Sequence, residues 1–90
     1  MSEVFTSARF GKRVWLTDHA LAAMKKRGVT LAEVEVLIEQ GAYLGNGKDD
    51  GWLFRRFDGR ADNLVCAAVT NRQAIVVKTI MINWREREEA

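Results

Sequence analysis

The only histidine of the chain, His19, lies in the stretch LTDHALAAMKKRG, where the pattern predicts the first turn of a helix. An imidazole changes its protonation between about pH 5 and pH 8, so an exposed histidine both accepts and releases a proton near neutral pH. A histidine whose ring packs across a sheet edge and bonds a loop carbonyl has a structural role instead. The sequence leaves both interpretations open, because only geometry identifies a proton-transfer group.

Three cations end the same predicted helix. Lys25 and Lys26 are explained by the exposed carbonyls at a helix C-terminus, which cations complement. Arg27 follows His19 by eight residues, so the two project within about 80° of each other and lie about 12 Å apart along the axis. They can therefore border one groove without touching.

Further basic residues lie on predicted strands. Arg55 and Arg56 are adjacent, so they point to opposite faces of a sheet. Arg56 is expected on the face of Trp52 and Phe54, and an arginine beside exposed aromatics is typical of a nucleic-acid surface. The alternative is that Trp52 and Phe54 belong to the core, which is more often true of aromatics in so small a protein. Lys78 stands alone among apolar residues of the last strand.

The end of that strand carries Asn83 and Arg85, an amide and a guanidinium that can hold a phosphate, although an ordinary strand exit has the same composition. The sequence has no glycine-rich phosphate loop, no recognisable Ser–His–Asp pattern and no converging carboxylate pair. One histidine and one cysteine, Cys66, do not make a structural zinc cluster. We therefore expect no metal and no cofactor.

Composition predicts a single globular domain over residues 1–90. The chain is 48% apolar and 29% charged, with a net charge of only +2, too small to indicate nucleic-acid binding by itself. The lone Cys66 excludes an intrachain disulfide and fits a reducing compartment, and no stretch is apolar enough to span a bilayer. We expect a cytoplasmic protein without a membrane partner.

Helix signals are the clearest in the chain. The first helix begins at Thr17 or Asp18, both good N-caps, and stops at Gly28 in the left-handed conformation. The second begins at Thr30, with a glutamate three residues later that completes a capping box, and ends at Gly41.

The remaining segments are predicted strands. Residues 4–10 and 13–17 can each extend around a tight reversal at Gly11-Lys12, and alternation resumes after Tyr43. We predict an α+β fold in which N-terminal strands precede a two-helix hairpin on one face of a three- to four-stranded antiparallel sheet. Residues 1–12 are an extra strand or a loose start, and residues 85–90 a solvated tail.

The helical segment resembles the head of a bacterial domain of unknown function, number 4258. The resemblance covers residues 13–82, and its specific motif consists of His19, Ala20, Met24, Arg27, Gly28 and Val29. Many relatives carry an arginine four residues after the histidine, where this chain has Ala23. If the family uses that arginine to bind phosphate, this chain lacks the corresponding cation at position 23.

That family is similar in architecture to the RelE-like and BrnT-like toxin ribonucleases. The resemblance implies metal-independent RNA cleavage by attack of a ribose 2′-oxygen on its own phosphate, which needs a base, an acid and fixed cations. The implied catalytic residues are His19, Arg27, Arg56 and Lys78. The residues expected to bind nucleic acid are Trp52, Arg55, Asn83 and Arg85.

The implied partners are RNA and a cognate antitoxin or other protein, with the chain a monomer or homodimer. The alternative is a non-catalytic domain of the same fold that binds a protein or a nucleic acid, or that serves as an accessory inhibitor. Fold alone does not decide between them.

Overall fold

The structure is a computed structural model that describes residues 1–45, 48–57 and 65–82. Its elements are β1 (Ser2–Ser7), β2 (Lys12–Leu16), α1 (Asp18–Arg27), α2 (Leu31–Gln40), β3 (Ala42–Gly45), β4 (Asp50–Arg55), β5 (Val65–Asn71) and β6 (Ile75–Ile82). The predicted α+β class and both helices are confirmed. Asn83, Arg85 and the predicted tail lie outside the described residues.

All six strands form one sheet, in the order β1-β2-β6-β5-β4-β3. Neighbours pair antiparallel except β2 and β6, which are parallel. The prediction of three or four strands, all antiparallel, is therefore wrong. The first hairpin joins the main sheet through β2, and the residues after Gly41 add β3 as an edge strand. A parallel pair needs a long crossover, which the intervening helices and strands supply.

Local signals place both helix starts and the end of the first helix. The Thr17 hydroxyl accepts the Ala20 amide at 3.0 Å, so Thr17 is the N-cap of α1, and Gly28 ends it at φ 65°. At α2 the predicted capping box with Thr30 is present: its hydroxyl accepts the Glu33 amide at 3.1 Å, and its own amide donates to the Glu33 carboxylate at 2.9 Å.

The helices cover one face of the sheet. α1 packs chiefly against β6, and α2 lies over β4 and β5 and reaches β1. The buried apolar side chains between the layers are Val14, Leu16, Ala20, Ala23, Met24, Val29, Val34, Leu37, Ile38, Leu53, Ala67, Val69, Ile75, Val77 and Ile80. We call the opposite side of the sheet the open face.

A β-bulge explains the lysine in the last strand. Ala68 pairs with Thr79 while the next residue, Val69, pairs with Val77, so Lys78 is the extra residue. A bulge inserts one residue and shifts the side-chain alternation by one position. As a result Val77 before it and Ile80 after it both face the helices, whereas Lys78 is exposed.

The β1–β2 turn is tied to the end of α2. The Glu39 carboxylate accepts the Ser7 hydroxyl at 2.7 Å and the amides of Ala8 and Arg9 at 2.6 and 3.0 Å. The predicted tight reversal at Gly11-Lys12 is wrong, because the turn occupies residues 8–11. Its conformation is set by a carboxylate 30 residues away in sequence.

Candidate functional site

His19 lies at the junction of β2 and α1, where the chain is bonded to β6. The Thr17 amide donates to the Val77 carbonyl at 3.2 Å, and the Thr17 hydroxyl donates to the Lys78 carbonyl at 3.0 Å. With Thr17 as N-cap, His19 is the second residue of α1, and it is exposed. The His19 side chain is therefore accessible to solvent, two residues after Thr17, which is bonded to the β6 bulge.

The Lys78 side chain is directed away from this junction, across β5 to β4. Its Nζ donates to Asp50 Oδ1 at 3.3 Å, and the Thr70 hydroxyl donates to the same oxygen at 3.2 Å. The hydrogen bond and charge of Lys78, together with the Thr70 hydroxyl, hold the pKa of Asp50 below its usual value. The charge of Lys78 is thus matched by a carboxylate.

Arg27 is the last residue of α1 and is half-buried. Eight residues of helix separate it from His19, which corresponds to about 12 Å along the axis. Arg27 and His19 therefore mark opposite ends of α1, as the spacing predicted.

The other predicted cations lie at the far end of the sheet. Arg55 pairs with Val65, which pairs with Ile82, so Arg55 lies four residues beyond the β6 bulge and two strands away. Strand spacing puts its backbone roughly 16 Å from that of Lys78. The Arg55 guanidinium lies 5.3 Å from the centre of the Phe57 ring.

Arg56 does not share a face with Trp52 and Phe54 as strand alternation predicted, since β4 ends at Arg55. Arg56 is exposed just beyond that end, and Trp52 is half-buried on the open face. The structure therefore does not gather the described members of the predicted site. His19 follows the Thr17 bond to the Lys78 backbone at the end of β2, and Arg55 and Arg56 lie at the end of β4. Arg27 lies at the other end of α1, and Trp52 on the open face.

Sequence reasoning missed two ion pairs beside the β5–β6 turn. Asp50 pairs with Lys78, and the Arg72 guanidinium contacts Asp49 at 3.1 Å. A signal for these pairs was present in the sequence, since two adjacent aspartates precede a strand and one lysine interrupts an apolar strand. Which aspartate contacts which cation depends on the register of the sheet. Over residues 1–45, 48–57 and 65–82, no cluster of histidine, cysteine and carboxylate side chains forms a metal site.

Among the described residues of the predicted site, the exposed His19 imidazole is the group suited by its chemistry to proton transfer. Arg55 ends β4, roughly 16 Å from the β6 bulge to which Thr17 is bonded, and Arg56 lies beyond that end, so neither is placed to stabilise charge beside the first turn of α1. They remain able to hold a long ligand at a second point.

Two helices on one face of a six-stranded mixed sheet, with an exposed histidine at the first turn, define a small α+β domain. Residues 16–82 match the family described as "Domain of unknown function (DUF4258)", and the chain belongs to this family. The resemblance predicted from the histidine motif is thereby confirmed. No curated protein and no solved structure matches the chain.

The likeness to RelE-like and BrnT-like toxins stays a prediction. No helix in the described part of the chain is long and apolar enough to cross a membrane.

Proposed function

We propose that this protein binds RNA and cleaves it without a metal, with His19 as the proton-transfer group. The observation that carries the proposal is the exposure of His19 on a helix turn held by two hydrogen bonds from Thr17 to β6. A ribose-phosphate backbone can reach such an imidazole without rearrangement of the fold.

The reaction requires two proton transfers. Attack of the 2′-oxygen on the adjacent phosphorus breaks the bond to the 5′-oxygen and leaves a 2′,3′-cyclic phosphate and a 5′-hydroxyl. One proton leaves the 2′-hydroxyl and one joins the 5′-oxygen. His19 performs one of these transfers and water the other, so we expect slow turnover compared with a site that holds both an acid and a base.

Binding relies on cations distributed over the surface. Lys25 and Lys26 are exposed on α1, and Arg56 is exposed beyond β4. An extended RNA strand carries a charge at every nucleotide, so cations more than 10 Å apart contact different phosphates of one strand. In this proposal they hold the strand and do not act at the reacting phosphate.

A second candidate is binding without cleavage, the non-catalytic alternative. It is favoured by the distance of about 16 Å between Arg55 and the β6 bulge and by the pairing of Lys78 with Asp50. Transition-state charge is stabilised only by donors already directed at it, which these residues are not.

One experiment separates the two candidates. Purified protein is incubated with a labelled single-stranded RNA in excess chelator, with cleavage followed on a gel and binding by fluorescence anisotropy. The variants are His19→Gln and a matched control on the outer face of the same helix, Ala22→Gln.

We expect cleavage by wild type and by Ala22→Gln, with a 2′,3′-cyclic phosphate product, and at least a 100-fold loss in His19→Gln with binding retained. Salt-sensitive binding without cleavage establishes the second candidate. Cleavage that persists equally in His19→Gln refutes the role of His19, and absence of binding by folded protein refutes both candidates.

A further inference from the structure

The open face of the sheet is largely apolar, although α1 and α2 both pack on the other side. Strand register places its apolar side chains in adjacent rows, formed by Trp15, Leu44, Trp52, Phe54, Cys66, Ala68, Val76 and Met81. Trp15, Trp52, Phe54 and Met81 are half-buried, and Leu44 is 39% exposed. Aromatic residues and methionine are enriched at the centres of protein–protein interfaces.

Three ion pairs lie around this face in the described part of the chain. Arg13 contacts Glu3 at 3.4 Å, and the two pairs beside the β5–β6 turn, Arg72 with Asp49 and Lys78 with Asp50, are 3.1 and 3.3 Å long. Nucleic acid binds through an excess of positive charge, which these described pairs do not provide. Cations already paired with carboxylates also repel a second, identical face less than unpaired cations would.

Over β4, β5 and β6 the open face has a hollow at one end and the bulky Phe54 and Met81 at the other, while Trp15 of β2 lies in the row of Val76, beside the hollow. The hollow has a volume of about 660 Å³ and is lined by Thr70, Arg72, Gln73, Ala74, Val76 and Lys78. Phe54 and Met81 share one row through Cys66, whereas Val76 belongs to the row of Thr70. The two rows are four residues apart along β4, about 13 Å.

We propose that the open face binds a second copy of this chain, face to face, about a two-fold axis perpendicular to the strands. This inference is independent of the proposed RNA chemistry. This axis reverses the strand direction of the second copy. The end of the second copy that carries Phe54 and Met81 therefore lies over the hollow of the first copy, and the same end of the first copy lies over the hollow of the second. A two-fold interface requires such a self-complementary surface.

The size of the face indicates a reversible dimer. Strands β2 to β3 span about 19 Å across the sheet, and the rows with the hollow extend about 20 Å along it, which gives roughly 400 Å² per copy. The total of about 800 Å² lies below the 1,200 Å² at which stable complexes begin. We expect a dissociation constant in the micromolar range.

Sedimentation equilibrium of the whole chain between 1 and 200 µM tests the inference. Thr79 lies in the row of Trp52 and Ala68, so Thr79→Glu introduces a carboxylate near the centre of the face. The matched control is Ala22→Glu, which adds the same charge on the exposed side of α1. Circular dichroism melting confirms that each variant is folded.

We expect wild type and Ala22→Glu to dimerise with similar constants and Thr79→Glu to weaken association at least 10-fold. If Thr79→Glu does not fold, Leu44→Glu at the exposed rim replaces it, with the same expectation. A wild type that is monomeric at 200 µM overturns the inference. A dimer that is unaffected by the face variants, or equally weakened by Ala22→Glu, also overturns it, because association then uses another surface.

Discussion

Replacing Glu39 with glutamine should destabilise the fold, because one carboxylate holds the β1–β2 turn against α2. Its two oxygens accept three hydrogen bonds, from the Ser7 hydroxyl, the Ala8 amide and the Arg9 amide, at 2.6–3.0 Å. The Arg9 guanidinium in turn donates to the carbonyls of Ile38 and Gly41 at the end of α2. The two side chains thus connect hairpin and helix in both directions.

The magnitude follows from the donors left without a partner. Glutamine is nearly isosteric but replaces one accepting oxygen with an amide group, which cannot accept from Ser7 or a backbone N–H. An unsatisfied donor in a partly buried site costs about 1–3 kcal/mol, and Ser7 is fully buried. We expect a loss of about 2 kcal/mol in unfolding free energy, which lowers Tm by roughly 8–16 °C in a domain of this size.

The pH dependence gives a second, independent signature. Burial alone raises the pKa of Glu39, but the hydrogen bonds from Ser7, Ala8 and Arg9 and the charge of Arg9 outweigh it and lower the pKa below 4.5. A carboxyl whose pKa is lowered on folding contributes stability above its unfolded pKa and loses it as pH falls through the folded pKa. The difference between wild type and Glu39→Gln should therefore be full near pH 7 and shrink below pH 4.5.

Urea denaturation followed by circular dichroism, at several pH values from 3 to 7, measures both effects. Glu35→Gln is the matched control, since Glu35 is exposed on the same helix. It should change stability by less than about 0.5 kcal/mol. The reasoning is refuted if Glu39→Gln is as stable as this control at pH 7, or if its deficit is unchanged at pH 3.

Three further outcomes are expected. Thr17→Ala removes both the N-cap of α1 and the bond to the Lys78 carbonyl, so urea denaturation should show a loss of about 1–2 kcal/mol; a neutral result would contradict that role. Gly41→Ala should lower Tm by several degrees, because a Cβ at Gly41 would overlap a carbonyl of the preceding helical turn. Gly45→Ala should leave Tm unchanged, because a Cβ at Gly45 meets only a ring carbon at 4.0 Å. Equal Tm values for the two variants would argue against this clash. Burial raises the pKa of the Cys66 thiol to about 12, so iodoacetamide at pH 8 should alkylate native protein far more slowly than protein in urea, and equal rates would show that the thiol is accessible.

Helix boundaries were predictable because their determinants are close in sequence. The capping box of Thr30 involves a residue three positions away, and Gly28 adopts φ 65° at the end of its own helix. Gly41 differs from Gly28. It ends α2 as predicted, but its φ is −70°, a backbone conformation that any residue adopts. The position needs glycine because there is no room for a Cβ, not because the backbone is left-handed. That requirement arises from packing against the last turn of the helix and against β4.

The candidate site was less predictable, since it depends on which strands are neighbours. The position of His19 in the first turn of α1 follows from a local cap, but the bond from that cap, Thr17, to the Lys78 carbonyl follows from the parallel pairing of β2 with β6, some 60 residues later. The antiparallel register of β4, β5 and β6 brings Lys78 to Asp50 and leaves Arg55 at the other end of the sheet.

In this chain, side chains within about four residues of one another decide where each helix begins, and hydrophobic periodicity decides which face it buries. Strand order, the bulge and the meeting of charges were decided only by the tertiary structure. The physical reason is that many strand orders satisfy the same alternating pattern, and the free energies that choose among them come from packing between segments distant in sequence.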